Sequence, residues 1–252
     1  MAEKEGNVEG CYHSAEHMIP QVVQMEDEAK AAKAIADAAN QGVEAIQKLG
    51  SFIDRAFGNT ISNSIGLIGD KLAYYRLERA ISLKDKVEKR LKEKGISASK
   101  FVPISFGLPL IEKATIEDDE DLHTKWANLL ANAMDPTYKG SIKRSFVGIL
   151  AELEPIDAQI AQLVVAEYLR SPASSRDQQL FDLARLASAL GIPRVEAEIS
   201  VRNLLRLGVF KPGVVSSQSI SFGNNQLSSY KDADLFGVTV LGIEFVKSVS
   251  SS

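Results

Sequence analysis

Five consecutive acids, Glu117 to Asp121, run directly into Leu122, His123 and the chain's single tryptophan, Trp126. Carboxylates beside an imidazole are the ingredients of a metal site or a general acid/base pair. The spacing points instead to the start of a helix. Thr115 is expected to cap a helix that begins at Ile116, with Asp118 close to a capping-box position. Acids in a first turn complement the partial positive charge of a helix N-terminus, each by up to about 1 kcal/mol. Leu122, Trp126, Leu129, Leu130 and Ala133 mark its buried side, and Asp135-Pro136 ends it. A metal at His123 would need ligands returning from elsewhere, and the chain has 3 histidines in all.

A second group, Cys11, His13, Glu16 and His17, has metal-ligand residue types within one short stretch. It falls in residues 1–19, which are polar and without periodicity and are expected to be a disordered tail. Neither a P-loop nor a Rossmann glycine pattern occurs. The expectation is therefore no enzyme, no metal and no cofactor.

The elements around these residues are mostly helical. From Pro20, the residues Val22, Met25, Ala29, Ala32, Ala36, Ala39, Val43, Ile46, Gly50 and Ile53 keep a heptad spacing, a coiled-coil-like seam of mostly small side chains. It predicts a long arm that lies on the protein's own body or self-associates. Ile53, Phe57, Ile61, Ile65 and Ile68 continue as an apolar stripe through residues rich in Gly, Ser and Asn. The uncharged stretch, Ala56–Gly69, is too short to span a bilayer as one helix. Asp70–Gly95 follows, with Ala80, Leu83, Val87 and Leu91 as its apolar stripe and Lys84, Lys86, Lys89, Arg90, Lys92 and Lys94 around it. Residues 49–100 carry 11 basic and 6 acidic groups in a chain whose net charge is −4. Such a helix is expected to be a solvated face, with contact to lipid or nucleic acid as the sharper alternative. Val102–Thr115 is read as a short buried segment broken or bent near Pro109.

The last hundred residues change pattern. Helices are predicted over Glu154–Leu169 (Ile156, Ile160, Leu163 and Val164 inward), Asp177–Ile192, and from Arg194 to Leu207 (Val195, Ile199, Val201, Leu204 and Leu205 inward). A strand in SQSISFGNNQLSS, a second over Leu235–Val240 and a short helix over Ile243–Val249 complete them. Three helices and a two-stranded ribbon are in winged helix-turn-helix order. The predicted fold is thus mainly α, with a tail over 1–19, a helical domain over 20–150 and a winged-helix-like α+β domain over 151–252. Arg194, Arg202 and Arg206 on the third helix are opposed by Glu196 and Glu198, a charge balance unlike that of a DNA-reading helix.

Three segments together resemble the Abi-alpha family, bacterial proteins named for an association with abortive infection, in which an infected cell stops growing or dies. They are SIGLIGDKLAYYRLERAISLKDKVEKRLKEKGI, the following FVPISFGLPLIEKATIEDDEDLHTKWANLLANAMDP, and NLLRLGVF with TVLGIEF. The resemblance covers roughly residues 45–250 and implies a setting in phage defence without a catalytic motif. The expected function is non-enzymatic defence through a protein partner or self-association, with a membrane surface as a conditional target. A winged-helix DNA-binding regulator is the alternative. The candidate interaction residues are Ile53, Phe57, Ile61, Ile65, Ile68, Lys89, Arg90, Arg194, Arg202 and Arg206. A single cysteine and an acidic N-terminus without a signal-peptide pattern lead to the expectation of a cytoplasmic protein, peripheral at the inner membrane if the arm acts there.

Overall fold

A computed structural model describes residues 40, 42–58, 70–176, 179–213 and 234–250. The tail over 1–19, the seam from Val22 to Ala39, the candidate residues Ile61, Ile65 and Ile68, and the strand expected in SQSISFGNNQLSS lie outside them. The chain divides into two units after Gly50. In the first, residues 42–50 are helical, with Glu44 and Lys48 paired at 2.7 Å one turn apart. The seam residues Val43 and Ile46 are exposed there.

The second unit begins with residues 51–57, which complete a helix over 42–57 (α1). It continues through α2 (Asp70–Glu93), α3 (Ile104–Ala114), α4 (Glu120–Met134), α5 (Arg144–Ala151), α6 (Pro155–Arg170) and the single turn α7 (Ala173–Arg176). Then come β1 (Phe181–Asp182), α8 (Leu183–Leu190), α9 (Arg194–Arg206), β2 (Phe210–Pro212), β3 (Leu235–Val238) and α10 (Val240–Val249). The fold is mainly α with one small antiparallel sheet, in the order β1-β3-β2.

α4 is the central element, packed by α2, α3, α6 and α10. From Trp126 to Met134 every residue is buried. Its start differs from expectation. Asp119, not Thr115, is the cap: its backbone is extended and its carboxylate accepts the Leu122 N–H at 2.8 Å. Thr115 closes α3, its hydroxyl donating to the Glu112 carbonyl at 3.2 Å. Three of the five acids thus lie in the α3–α4 turn, and only Glu120 and Asp121 sit in the first helical turn.

α3 runs through Pro109 rather than breaking there. Proline removes the hydrogen bond to the carbonyl four residues back, that of Ser105, and both residues face solvent, where water replaces the lost donor. The segment is only half buried, with Ile104 and Leu108 exposed.

The C-terminal part also corrects the expected pattern. The helix foreseen over Asp177–Ile192 is confined to α8, because Phe181 and Asp182 pair with β3 (Phe181 opposite Phe236) and the Asp182 carboxylate then caps α8 through the Arg185 N–H. Gly191, at φ 66, ends α8 in the left-handed conformation that glycine adopts without strain, and Pro193 opens α9. β2 pairs with β3, Phe210 opposite Val238. Phe236 stacks between Phe210 (4.9 Å) and Phe181 (5.9 Å), so aromatic burial holds a sheet too short to stand alone. The last helix starts at Val240, three residues earlier than expected, where the Thr239 hydroxyl accepts the Gly242 N–H. Leu163 is on the exposed side of α6, whose inward face is Asp157, Ala158, Ile160, Ala161, Val164 and Val165. α9 is rotated relative to expectation: Ala197, Ser200, Val201 and Leu204 are buried, whereas Val195 and Ile199 are exposed.

Candidate functional site

The basic helix α2 meets α4 along a polar seam. Glu120, at the start of α4, receives the Lys86 ammonium at 2.5 Å and the Arg79 guanidinium at 3.0 Å. Lys86 also reaches the Thr124 hydroxyl (2.9 Å) and His123 Nδ1 (3.1 Å). His123 Nε2 lies 3.2 Å from the Arg79 carbonyl. A carbonyl only accepts, so Nε2 carries the proton and Nδ1 accepts from Lys86. The ring is fully buried. Burial, then the positive charges of Arg79 and Lys86, pull its pKa down to about 4. Both nitrogens of this neutral imidazole are thus engaged within the fold.

Other charges of α2 are also engaged, though not all. Lys84 is buried between Asp85 (2.6 Å) and Glu88 (3.2 Å). Burial works against its charge, but these two carboxylates hold its pKa above the ordinary lysine range. Glu88 also pairs with Arg55. Arg90 is buried and donates to the Ser250 carbonyl at 2.7 Å. Its pKa is drawn down by burial, with Glu93 and Asp135 opposing. Lys94 reaches Asn132 (3.0 Å) and the buried Asp135 carboxylate (3.3 Å). The expected solvated basic face is therefore laced with ion pairs: Lys84 and Arg90 are buried, whereas Arg55, Asp85 and Glu120 keep their pairs at the surface. Lys89 remains exposed, 4.0 Å from Glu93. Lys92 is exposed as well.

α4 also holds the end of α10. Asn132 donates to the Ser248 carbonyl at 2.8 Å and Asn128 to the Val249 carbonyl at 2.9 Å. With Arg90 on Ser250, three side chains satisfy the carbonyls that a helix C-terminus leaves unpaired, and the cation complements its partial negative charge. The other end of α10 is tied to the α9–β2 turn. The Thr239 hydroxyl lies 2.7 Å from the Gly208 carbonyl and 3.0 Å from that of Val209. Gly242 sits so close to the Val209 carbonyl that a Cβ there would be 2.2 Å from its oxygen.

The acid run is engaged locally. Glu117 accepts the Asp119 N–H at 3.1 Å and, at 3.4 Å, the Trp126 indole N–H. Among the described residues no three His, Cys, Asp or Glu side chains converge as metal ligands.

On the outer face of α9, Val195 is 68% and Ile199 65% exposed. Arg202 pairs with Glu198 at 2.8 Å and Arg206 with Glu152 at 2.7 Å. Arg194 pairs with Asp234. The remaining candidates divide. Ile53 and Phe57 are buried, Phe57 against Gly107 of α3. Arg90 belongs to the α10 lock. Sequence reasoning missed Asn128, Asn132 and His123 as structural ligands. The available signal was three polar residues on the buried side of an apolar helix, which must find partners.

Arg79, Lys86 and Lys94 with the segment EDDEDLHTKWANLLANAMDP thus build the α2–α4 seam, and NLLRLGVF with TVLGIEF builds the α9–α10 joint. The abortive infection alpha family matches over residues 75–249, well over half of the chain. The chain belongs to the abortive infection alpha family. No curated protein and no solved structure matches it. What the abortive infection alpha match spans is the whole arrangement from the seam to the lock. No described helix is long and apolar enough to cross a membrane.

Proposed function

We propose that this abortive infection alpha protein takes part in bacterial phage defence without chemistry of its own, by binding a protein through the outer face of α9. The observation behind it is that Val195 and Ile199 stand at the centre of that face while Arg194, Arg202 and Arg206 are each paired with an acid. Each such pair is worth under about 1 kcal/mol, yet together they cancel the field that a phosphate backbone would meet. Exposed aliphatic residues rimmed by balanced charge suit a protein interface better. The order β1, two helices, β2, β3 with sheet order β1-β3-β2 supports a winged-helix reading, and such modules serve protein binding as well as DNA binding. The engaged charges of α2 favour a protein partner over a lipid surface.

The test is phage challenge of cells carrying Val195→Asp with Ile199→Asp. Both positions are exposed, so a native melt is expected, and protection should be lost. Retained protection with the double variant expressed at wild-type level would remove α9 from the function. Loss of protection only on Arg202→Ala with Arg206→Ala would favour nucleic acid.

A further inference from the structure

α3 is apolar on most of its surface, but only one side is covered. Phe106, Gly107, Leu110 and Ala114 are buried, and a Cβ at Gly107 would overlap the Phe57 ring. The opposite side exposes Ile104 and Leu108, and just ahead of the helix Phe101 is 71% exposed. One step round the helix, a groove of about 290 Å³ runs between α3 and α5. Ser105, Pro109, Val147, Gly148 and Ala151 line it, with Lys113 and Arg144 at its edge. Nothing stands within 4 Å of where a Gly148 Cβ would be, so the small-residue floor leaves room for a ring.

We infer that this face docks a second copy of the chain. The two α3 helices run antiparallel about a two-fold axis that passes between Ile104 and Leu108. Ile104 of one copy then meets Leu108 of the other. Phe101 of each is carried over the C-terminal half of the opposite α3, where the groove opens. A two-fold axis perpendicular to both helices keeps the 105–109–113 stripes on the same side, so ring and groove meet twice. The same arrangement brings Lys100 within side-chain reach of Glu112 on the other copy. Both are exposed, and neither has an ion pair among the described residues. An isologous contact requires a patch to carry its own complement. Here knob and groove, cation and anion lie within one helix and its approach. One helix face is smaller than a standard stable interface, so a weak, concentration-dependent dimer is expected.

Sedimentation velocity on the full chain, from about 1 to about 100 μM, reads this directly. The expected result is a concentration-dependent monomer–dimer equilibrium. Leu108→Glu and Phe101→Ala should each raise the dissociation constant at least ~10-fold while keeping a cooperative melt, since both side chains are exposed in the monomer. Lys100→Glu and Glu112→Lys should each weaken the dimer, and the double charge swap should restore it to within about threefold. A chain that stays monomeric throughout would overturn the inference. So would a dimer indifferent to Phe101→Ala, or a double swap that recovers nothing. The inference stands apart from the α9 reading: Val195→Asp with Ile199→Asp should leave the dimer unchanged, and a dimer broken by that pair would place the interface on α9 instead.

Discussion

At the scale of residues, His123 shows how position overrides residue type. Beside five acids it has the look of a reactive group, yet it works as a hydrogen-bonded spacer between α2 and α4. The carboxylate nearest to its chemistry, Glu120, is bound to Lys86 and Arg79 instead. A histidine held neutral in the fold with its pKa lowered to about 4 ties stability to pH in one direction. Above its unfolded pKa of about 6.5 it costs nothing. As pH falls from there toward 4, the unfolded chain binds a proton that the folded one refuses, and stability is lost. The linkage amounts to about 2 kcal/mol between pH 7 and pH 5. Glu88, Glu120, Asp135 and Glu244, all held below the ordinary carboxylate range, act in the same sense at lower pH. Urea midpoints at pH 7 and pH 5 measure the effect, and His123→Gln should flatten most of it. An equal loss in the variant would assign the slope to other groups. Trp126 is the opposite case, since its type and spacing already marked it as core. Trp126→Ala should cost about 3–5 kcal/mol, and an unchanged denaturant midpoint would contradict its burial.

Elements were legible where one periodicity ran long enough. The Leu122–Ala133 stripe, the Leu83–Val87–Leu91 stripe, the Gly191-Pro193 break and the extended turn after Gly208 all lie where the sequence places them. The errors share a cause, which is that local signals do not report distant partners. Nothing near Phe181 announces β3, which lies more than fifty residues on, so the local pattern there reads as helix. On α9, Val195 and Ile199 fit an apolar stripe as well as Ala197 and Val201 do, and only the packing against α6 and α8 chose between them. Lys84 has its partners, Asp85 and Glu88, within α2, but the ties of Arg79, Lys86 and Arg90 were invisible for the same reason, because they reach α4 and the end of α10. That last joint can be tested alone. Asn132→Ala removes the donor to the Ser248 carbonyl and an acceptor of Lys94. It should destabilise by about 1–3 kcal/mol, since a buried carbonyl loses its partner. Thr124→Ala, at an exposed site on the same helix, should change stability by under about 0.5 kcal/mol. Comparable losses from both would show that the α10 lock carries no particular weight. Faster amide exchange in α10, without change in α8 and α9, is the signature expected of Asn132→Ala.

For the whole molecule, the family resemblance and the mainly α class were both readable from the chain, but the meaning of its charge was not. A block of 11 basic and 6 acidic residues over 49–100 suggests a surface for anions. In the fold, Arg55, Arg79, Lys84, Lys86 and Lys94 face carboxylates, and Arg90 faces a carbonyl. Among the described residues of α2, Lys89 and Lys92 are the exposed cations, on a molecule of net charge −4. Binding to DNA draws most of its strength from cations that neutralise phosphates and release counterions, and binding of a basic helix to anionic lipid depends on the same field. With most described cations of α2 paired and the net charge negative, neither should persist at physiological salt. Titrations of a random duplex and of vesicles rich in phosphatidylserine should show at most weak binding at low salt that vanishes near 0.15 M, where the Debye length has shrunk to about 8 Å. Lys89→Ala with Lys92→Ala should weaken that low-salt remnant, and the same variant should keep protecting cells from phage. Nanomolar affinity for either anion at 0.15 M salt, lost on Arg202→Ala with Arg206→Ala or on the α2 pair, would return the molecule to the class of nucleic-acid or membrane binders.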